Sequence, residues 1–306
     1  MRILVTGGAG FIGSNFVHYM LQMHPRDQIA VLDRLTYAGN LDNLKTAMRK
    51  IKFIKGDICN RKLVERVAKE VDAIINFAAE SHVDRSIAEP EPFLTTNVLG
   101  TQVLLEAARR FDHEKFVQIS TDEVYGSVAK GSFREDDVLR PSSPYAASKA
   151  AADMLVHSYF VTYSLPVLIT RSTNNFGLYQ HPEKLMPKLI INAISGKPLP
   201  IYGDGKNVRD WLYVIDNCEA IDLVLRKGKG GEVYNVGAGN EKTNLEIANF
   251  ILKELGKPKS LIKFVENRPG HDLRYSLNCE KIKALGWMPK HNFEEALRET
   301  INWYKK

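Results

Sequence analysis

The sequence predicts an α/β fold, a doubly wound parallel sheet with helices on both faces, together with a smaller mixed α/β domain. Three observations predict it. Short apolar runs alternate with segments of helical periodicity through the first half of the 306 residues. These runs are almost unbroken, as expected for strands that are buried on both faces. A glycine-rich turn separates the first apolar run from the first helical segment.

The elements of the first half follow one another in a regular order. Strands are predicted for the apolar runs, and helices for the segments in which apolar residues recur every three to four positions. The predicted strands are Arg2–Thr6, Ile29–Asp33, Ile51–Ile54, Asp72–Phe77, Lys115–Ser120 and Val167–Thr170. The predicted helices are Phe11–Met23, Leu41–Met48, Lys62–Glu70, Thr95–Phe111 and the alanine-rich Tyr145–Tyr163.

After about residue 171 the pattern changes, because several prolines break the chain into shorter pieces. The elements predicted here are strands at Trp211–Val214 and Val233–Val236 and helices at Leu185–Ser195, Asp216–Arg226, Leu245–Leu255 and Phe293–Tyr304. We expect residues 1–171 to form the first domain, with a returning segment near 211–236. Residues 172–306 would form the second domain, with a ligand cleft between the two.

Composition excludes several classes of protein. A chain with 44% hydrophobic and 25% charged residues is neither disordered nor dependent on disulfides. Cys59, Cys218 and Cys279 are widely spaced and form no Cys-x-x-Cys motif, which predicts reduced thiols in a cytoplasm and no metal site. No apolar run approaches the roughly 20 residues that span a bilayer, and the N-terminus does not resemble a signal peptide. The net charge of +6 fits an anionic ligand, nucleic acid or a solvated lysine-rich surface.

The glycine-rich turn has the spacing of a dinucleotide-binding loop. Gly8, Gly10 and Gly13 satisfy G-x-G-x-x-G between a predicted strand and a predicted helix, and Gly7 extends the motif. Asp33 ends the second strand, where a carboxylate binds the adenosine ribose hydroxyls and repels a 2′-phosphate. We therefore predict a Rossmann-type domain that binds NAD rather than NADP. The neighbouring Arg34 argues the other way, and a plain glycine turn is the alternative.

Tyr145 and Lys149 lie one helical turn apart, so their side chains share one face of a predicted helix. An ammonium group favours the phenolate form, so we expect the pKa of Tyr145 to fall toward neutrality and the tyrosine to act as a general base. The same spacing recurs at Tyr202 and Lys206, in a glycine-rich turn where the two side chains need not meet. We interpret that second pair as coincidence, and an ordinary helix face is the alternative for the first.

Thr121, Asp122 and Glu123 directly follow the fifth predicted strand, at the edge where ligands bind to open parallel sheets. Both carboxylates can face one pocket only if the strand ends at Ser120 or Thr121, because adjacent strand residues point to opposite faces. Two carboxyl groups in one pocket repel each other, so one stays protonated and an acid lies beside a base. The alternative is a surface turn with two solvated acids.

Together these residues resemble the extended short-chain dehydrogenase/reductase family, and more narrowly its nucleoside-diphosphate-glucose 4,6-dehydratases. The resemblance extends over essentially the whole chain and rests on the glycine loop and on segments 33–40, 78–86, 120–126, 145–149, 174–177, 182–185, 202–211, 240–244 and 268–272. The Thr-Asp-Glu triplet is its specific part, because sugar-nucleotide 4-epimerases lack the acidic pair there. Phe176 and Leu178 depart from the family, which usually has Tyr and Pro at these positions.

The resemblance implies NAD as a bound cofactor and dTDP-glucose, or a related nucleoside-diphosphate glucose, as the substrate. Tyr145 would take the proton of the C4 hydroxyl while C4 gives a hydride to NAD, with Lys149 lowering the tyrosine pKa and Thr121 bound to the C4 oxygen. Glu123 would then remove the C5 proton, and protonated Asp122 would donate to the departing C6 hydroxyl. The hydride would finally return to C6, and protonation at C5 would give the 4-keto-6-deoxy sugar.

The same resemblance assigns residues to two binding sites. The implied cofactor-binding residues are Gly7, Gly10, Phe11, Ile12, Gly13, Asp33, Asp57, Ile58, Ala78, Ser81, Asn97, Tyr145 and Lys149. The implied substrate-binding residues are Ser86, Thr121, Asn174, Lys184, Arg209, Asn244, Arg268 and His271. Arginine suits a diphosphate because its donors form a planar fork. The alternatives are an ion pair between Arg209 and Asp210, and a plain surface position for His271.

A homodimer formed through helices near Thr95–Phe111 and Tyr145–Tyr163 is also implied by the resemblance. Three alternatives to the main interpretation stay open: the same chemistry on UDP-glucose, a sugar-nucleotide 4-epimerase, and a non-catalytic dehydrogenase-like protein that binds RNA or senses NAD. The acidic pair argues against an epimerase. The sequence has no evident aromatic-basic stacking motif, so we expect no nucleic acid, and also no membrane, among the partners.

Overall fold

The structure is a computed structural model that describes residues 1–305. The strands, in chain order, are β1 (Arg2–Thr6), β2 (Gln28–Asp33), β3 (Ile51–Lys55), β4 (Ala73–Asn76), β5 (Lys115–Thr121), β6 (Val167–Ser172), β7 (Asn174–Phe176), β8 (Leu199–Tyr202), β9 (Val208–Tyr213), β10 (Val233–Val236), β11 (Glu241–Thr243) and β12 (Ile262–Val265). The α-helices are α1 (Phe11–Met23), α2 (Arg61–Ala68), α3 (Val83–Ala88), α4 (Glu91–Phe93), α5 (Thr101–Arg110), α6 (Pro144–Tyr163), α7 (Leu185–Ile194), α8 (Val214–Lys227), α9 (Asn244–Glu254), α10 (Glu280–Ala284) and α11 (Phe293–Tyr304).

Seven parallel strands form the main sheet, in the spatial order β10-β6-β5-β4-β1-β2-β3. Helices α1 and α8 bury apolar residues such as Val17 and Ile221 on one face, and α2, α5 and α6 cover the other with residues such as Val64, Leu104 and Val156. The predicted doubly wound, Rossmann-type sheet is therefore confirmed. The strand order reverses between β1 and β4, which opens a crevice at the carboxyl ends of these strands.

A smaller group of strands and helices follows. β7, β9 and β11 form a three-stranded sheet, and β8 pairs with β12. Leu189 of α7, Ile247 of α9 and Leu297 of α11 belong to the same buried cluster as Val17 of α1, so one core runs from these helices to the main sheet. Strand β10 joins the main sheet although it comes after residue 171, and the domain boundary itself stays a prediction.

Three predicted elements differ from the structure. Leu41–Met48, predicted as a helix, forms only a 3-10 turn at Leu41–Leu44, which Asn40 caps by accepting a hydrogen bond from the Asp42 N–H. The strand predicted at Trp211–Val214 is β9, which starts at Val208, and Val214 already begins α8. The first part of the predicted helix Thr95–Phe111 is a π-helix, Leu94–Gly100. Among residues 1–305, no helix has the length and apolar character needed to cross a membrane.

Candidate active site

A cavity of about 300 Å³ lies in the crevice where the strand order reverses. Most of the predicted site residues line it. They are Gly7, Gly10, Phe11, Ile12, Gly13, Asp33, Asp57, Ile58, Ala78, Ser81, Thr121, Asp122, Glu123, Tyr145, Lys149, Asn174 and Lys184. The predicted residues outside its lining are Ser86, Asn97, Arg209, Asn244, Arg268 and His271. The cavity therefore brings the glycine loop, the acidic pair and the Tyr/Lys pair together.

The glycine loop leaves no room for a side chain at Gly7 or Gly13. A Cβ atom on Gly13 would lie 2.4 Å from the carbonyl oxygen of Gly7, and one on Gly7 would lie 2.6 Å from the Ala78 nitrogen. Gly7 also has a φ of +66°, which favours glycine. Helix α1 begins directly afterwards at Phe11, and its first backbone N–H groups lack helical partners. This bare backbone beside a helix N-terminus fits a pyrophosphate.

Asp33 ends β2 at the edge of the cavity. Its Oδ2 accepts a hydrogen bond from the Ala9 N–H at 2.9 Å, and its Oδ1 accepts one from the Leu35 N–H at 2.7 Å. Burial raises the pKa of Asp33, and these two backbone bonds oppose the rise. The neighbouring Arg34 pairs with Asp57 at 3.0 Å. Two backbone hydrogen bonds therefore hold the Asp33 carboxylate at the edge of the cavity.

The Thr121–Glu123 triplet stands where strand β5 gives way to a 3-10 turn, Asp122–Tyr125. The strand ends at Thr121, and both Asp122 and Glu123 line the same cavity. This is the arrangement expected from the sequence if the strand ended at Ser120 or Thr121. Thr121 Oγ1 donates to Asp122 Oδ1 at 3.2 Å and accepts from the Glu123 N–H at 3.2 Å. The threonine hydroxyl thus fixes the orientation of both acidic residues.

The two carboxyl groups differ in their surroundings. Asp122 is 2% exposed, and its Oδ2 atom has no hydrogen-bond partner within residues 1–305. Burial raises the pKa of Asp122 well above its usual range, and the charge of Glu123 adds to the rise. Burial also raises the pKa of Glu123, but the positive charges of Arg268, Arg209 and Lys184 oppose it. Asp122 therefore binds a proton more readily than Glu123 does.

Helix α6 places Tyr145 and Lys149 against the triplet. Ser143 caps it by accepting a hydrogen bond from the Ala146 N–H at 3.2 Å, and Pro144 occupies its first turn. Lys149 Nζ donates to the carbonyl oxygen of Ile119 at 2.6 Å, and burial lowers the pKa of Lys149 to about 8. The ammonium is thus tied to the strand that leads into the triplet.

The predicted fall in the pKa of Tyr145 is wrong for this structure. Burial raises the pKa of Tyr145 above its usual value, the charges of Glu123 and Asp122 raise it further, and a hydrogen bond with Thr121 opposes them. The sequence reveals the helical spacing of Tyr145 and Lys149, but it does not reveal burial or the approach of the two carboxyl groups. Protonation of Asp122 removes one of the charges that raise this pKa.

The second Tyr/Lys match behaves as coincidence. Tyr202 Oη donates to Asp84 Oδ2 at 3.2 Å, whereas Lys206 Nζ pairs with Asp204 at 3.1 Å. The two side chains therefore have different partners.

Arg209 and Arg268 bring positive charge to the Glu123 side of the cavity. The Arg209 guanidinium donates to the carbonyl oxygens of Val208 and Asp272 and lies 4.2 Å from the centre of the Tyr275 ring. Arg268 Nη1 lies 3.5 Å from Asp84 Oδ1. Within residues 1–305 Arg209 forms no ion pair with Asp210, because neighbouring strand residues point in opposite directions. Burial, together with the positive charges of Arg268 and Arg209, lowers the pKa of His271 to about 4.

The remaining predicted residues are largely occupied by internal hydrogen bonds. Asn97 binds both the N–H and the carbonyl of Glu80 and donates to Ser148 Oγ at 2.8 Å. Ser86 Oγ donates to the Val83 carbonyl at 2.6 Å. Asn244 differs, because its Oδ1 atom is buried without a partner within residues 1–305. The binding roles of Asn97, Ser86 and Asn244 stay predictions.

Sequence reasoning missed a cluster at the rim of the cavity. Tyr37, His181 and Glu183 line it, the Arg85 guanidinium lies 3.9 Å from the centre of the Tyr37 ring, and Arg85 Nη2 donates to Glu183 at 2.8 Å. These residues come from three distant segments, and no local motif connects them. Within residues 1–305, no group of three or more His, Cys, Asp or Glu side chains is arranged to hold a metal ion.

A sequence model of the GDP-mannose 4,6-dehydratase family matches residues 4–300. The chain belongs to the GDP-mannose 4,6-dehydratase family. This match covers the glycine loop, the acidic pair and the Tyr/Lys pair alike.

This member of the GDP-mannose 4,6-dehydratase family is similar to several named proteins over its full length. It is 55% identical to the low-salt glycan biosynthesis protein Agl12 of Haloferax volcanii, covering 99% of this chain and 98% of that protein. It is 50% identical to the dTDP-glucose 4,6-dehydratase DesIV of Streptomyces venezuelae, whose structure contains NAD and dTDP, with a TM-score of 0.98 and coverage of 100% and 97%. A Bacillus anthracis dTDP-glucose 4,6-dehydratase in complex with NAD is 54% identical, with a TM-score of 0.93 and coverage of 100% and 96%.

Proposed function

We propose that the chain is a lyase that uses tightly bound NAD, a dTDP-glucose 4,6-dehydratase. It converts dTDP-glucose to dTDP-4-keto-6-deoxyglucose and water. The observation that carries this proposal is the placement of Asp122 and Glu123 beside Tyr145 in one cavity with the glycine loop. The full-length relatives with this activity support it.

The cavity suits NAD. The glycine backbone at Gly7 and Gly13 admits a pyrophosphate where a Cβ would collide, and the Asp33 carboxylate borders the same cavity. NAD held there would supply a hydride acceptor for C4 of the glucose and a hydride donor for C6, and with a proton returned to C5 no net oxidation would occur. Asp33 binds the adenosine ribose and disfavours a 2′-phosphate.

Four groups of the chain act on protons and hydroxyls of the glucose. Tyr145 Oη removes the proton of the C4 hydroxyl, and Thr121 Oγ1 hydrogen-bonds to the C4 oxygen. Glu123 removes the C5 proton, which the neighbouring 4-keto group makes acidic. Asp122, held protonated by burial and by the charge of Glu123, donates to the departing C6 hydroxyl.

The positive residues beside Glu123 bind the diphosphate. Arg209 and Arg268 offer planar donor groups, and Lys184 adds a third positive charge close to Glu123. Arg268 Nε is buried without a partner within residues 1–305, so it has a donor free for a ligand. Asn174, Asn244, Ser86 and His271 complete the sugar and nucleoside pocket in this proposal.

A homodimer is part of the proposal. Leu99 of the π-helix and Met154 and Val161 of α6 are 58%, 51% and 68% exposed, although they are large and apolar. Met154 and Val161 lie seven residues apart and share one face of α6. Such an exposed apolar surface is typical of a protein interface.

The free thiols of Cys59, Cys218 and Cys279 support a cytoplasmic location.

Product analysis with three nucleotide sugars tests the activity. The protein is incubated separately with dTDP-glucose, UDP-glucose and CDP-glucose, and the product masses are followed. We expect loss of one water from dTDP-glucose at the highest kcat/KM. A product of unchanged mass would identify an epimerase, and no reaction with any of the three would leave only a binding protein.

A further inference from the structure

A buried ion pair lies directly behind the proposed catalytic residues. Asp153 Oδ2 of α6 and Arg171 Nε of β6 are 2.9 Å apart, and the two side chains are 0% and 3% exposed. A buried ion pair contributes little net stability compared with apolar residues of the same size, because desolvation offsets the attraction between the charges. The contribution of this pair therefore lies in the neighbouring groups that its charges hold in place.

The Asp153–Arg171 pair forms hydrogen bonds with residues on both sides of the Thr121–Glu123 triplet. Ser120, just before the triplet, donates from Oγ to Asp153 Oδ2 at 3.0 Å. Tyr125, just after it, accepts a hydrogen bond from Arg171 Nη1 at 2.8 Å, and the guanidinium lies 4.8 Å from the centre of the Tyr125 ring. One ion pair thus fixes both ends of a turn only a few residues long.

The same pair connects the triplet to the helix that carries the Tyr/Lys pair. Asp153 follows Lys149 by one turn of α6, on the same helix face. The negative charge of Asp153 raises the pKa of Lys149 and so opposes the effect of burial. A shift of Asp153 would therefore disturb both the triplet and the ammonium group.

The hydrogen bonds of Arg171 and Tyr125 continue to β10, the strand next to β6 in the sheet. Arg171 Nη1 also donates to the Glu135 carbonyl at 3.2 Å, and Tyr125 Oη donates to Asn235 Oδ1 of β10 at 2.8 Å. All of the side-chain groups that form these bonds are buried. These bonds therefore join the triplet's neighbours to β6 and β10 of the main sheet.

We propose that Asp153 and Arg171 are positioning residues, which hold the Thr121–Glu123 turn against the Tyr145–Lys149 face of α6 for water elimination. This inference rests on the proposed dehydratase function. Elimination requires an acid at C6 and a base at C5 of one sugar at the same moment. A misplacement of about 1 Å in such an arrangement costs roughly 100-fold in rate.

The test removes the two hydroxyl groups and leaves the ion pair intact. In the double variant Ser120→Ala, Tyr125→Phe, we expect kcat for dTDP-glucose dehydration to fall at least about tenfold. KM should stay within about twofold, because the diphosphate-binding arginines are untouched. The matched control is Tyr213→Phe, which removes a buried hydroxyl bonded to Glu299 at 3.0 Å and should leave kcat within about twofold.

Thermal unfolding of each variant sets an assay temperature at which the protein is folded. A purely structural role would lower the unfolding temperature without lowering kcat of the folded enzyme. A kcat of the double variant within about twofold of wild type would overturn the inference. Arg171→Lys keeps the charge but cannot serve Asp153 and Tyr125 together, so we expect it to lower kcat as well.

A crystal structure of the double variant tests the placement without substrate. We expect the Asp122 Cα atom to move by more than about 0.5 Å relative to α6. If the wild-type protein did not dehydrate dTDP-glucose, the proposed function would fail, and this displacement would still decide the inference. An unmoved turn would then contradict it, and a moved turn would support it.

Discussion

At the scale of single residues, the surroundings give two neighbouring carboxyl groups different roles. Asp122 is buried with one oxygen unpartnered within residues 1–305, and its pKa rises well above the usual range. Glu123 faces the charges of Arg268 and Arg209, which oppose the rise in its own pKa. We therefore expect Asp122 to hold a proton and Glu123 to accept one.

Replacing the base should separate the steps of the reaction. In Glu123→Gln we expect water elimination to fall by about 1000-fold or more, because an amide cannot remove the C5 proton. Oxidation at C4 should still be detectable as absorbance of reduced cofactor. Glu70→Gln, at an exposed ion pair with Lys52, is the control and should keep full activity. Loss of cofactor reduction in Glu123→Gln would mean that Glu123 acts in the first step.

The buried lysine makes stability depend on pH. The pKa of Lys149 is about 8 in the folded protein against 10.5 in the unfolded chain, so between these values only the unfolded state holds the proton. Stability contributed by this residue therefore rises with pH across that window, by about 3 kcal/mol in all. We expect the free energy of unfolding of wild type, measured against Lys149→Met, to rise accordingly in denaturant titrations. If the difference in unfolding free energy between wild type and Lys149→Met stayed the same from pH 8 to pH 10.5, the lowered pKa of Lys149 would be contradicted.

The residue types of the site were predictable, but their electrostatics were not. Tyr145 and Lys149 are recognisable from spacing, and the acidic pair from its place after a strand. The direction of the Tyr145 pKa shift depends on burial and on approaching carboxyl groups, which are tertiary properties. Phe176, a departure from the family pattern, is fully buried against Tyr213 and Phe293 and does not line the cavity.

At the scale of elements, strongly patterned segments were predictable and weakly patterned ones were not. The strands of the main sheet are mostly apolar runs, and the structure places them close to the predicted bounds. Leu41–Met48 buries only Leu44 and Ala47, so too little apolar surface supports a full helix there. The π-helix Leu94–Gly100 has no distinct pattern, because its residues also fit an α-helix.

The turn between β1 and α1 should tolerate no added side chain. In Gly13→Ala the new Cβ would meet the Gly7 carbonyl at 2.4 Å, and backbone cannot give way as a flexible side chain can. We expect unfolding to become easier by about 1–3 kcal/mol, and NAD affinity measured by calorimetry to fall. Gly230→Ala, whose nearest contact would be 3.5 Å, should change stability by less than about 0.5 kcal/mol. Equal changes in unfolding free energy and NAD affinity in the two variants would contradict a close backbone contact at Gly13 that supports NAD binding.

At the scale of the whole molecule, one crevice collects residues from distant parts of the chain. Gly7 and Lys184 line the same cavity, and Arg268 acts on Glu123 from beyond its lining. Sequence motifs predicted the glycine loop at this crevice because its residues are close together in the chain, and its binding of NAD stays a prediction. Tyr37, Arg85 and Glu183 lie in three of the segments that carry the family resemblance, but their contacts with one another form only on folding, so no single segment predicts this rim.

The apolar surface on α6 predicts self-association. We expect analytical ultracentrifugation to show a dimer for wild type and a monomer for Met154→Glu, Val161→Glu, because buried charges oppose association. Met288→Glu, which changes a methionine that is 63% exposed outside this surface, is the control and should remain dimeric. A wild-type monomer at micromolar concentration would contradict the proposed interface.

The most direct test of the dehydratase chemistry follows one hydrogen atom. dTDP-glucose that carries deuterium at C4 is converted by the holoenzyme, and the product is examined by mass spectrometry and NMR. We predict a 4-keto-6-deoxy product that has lost one water and carries the deuterium at C6. A product that retains the deuterium at C4, or that has lost no water, would contradict it.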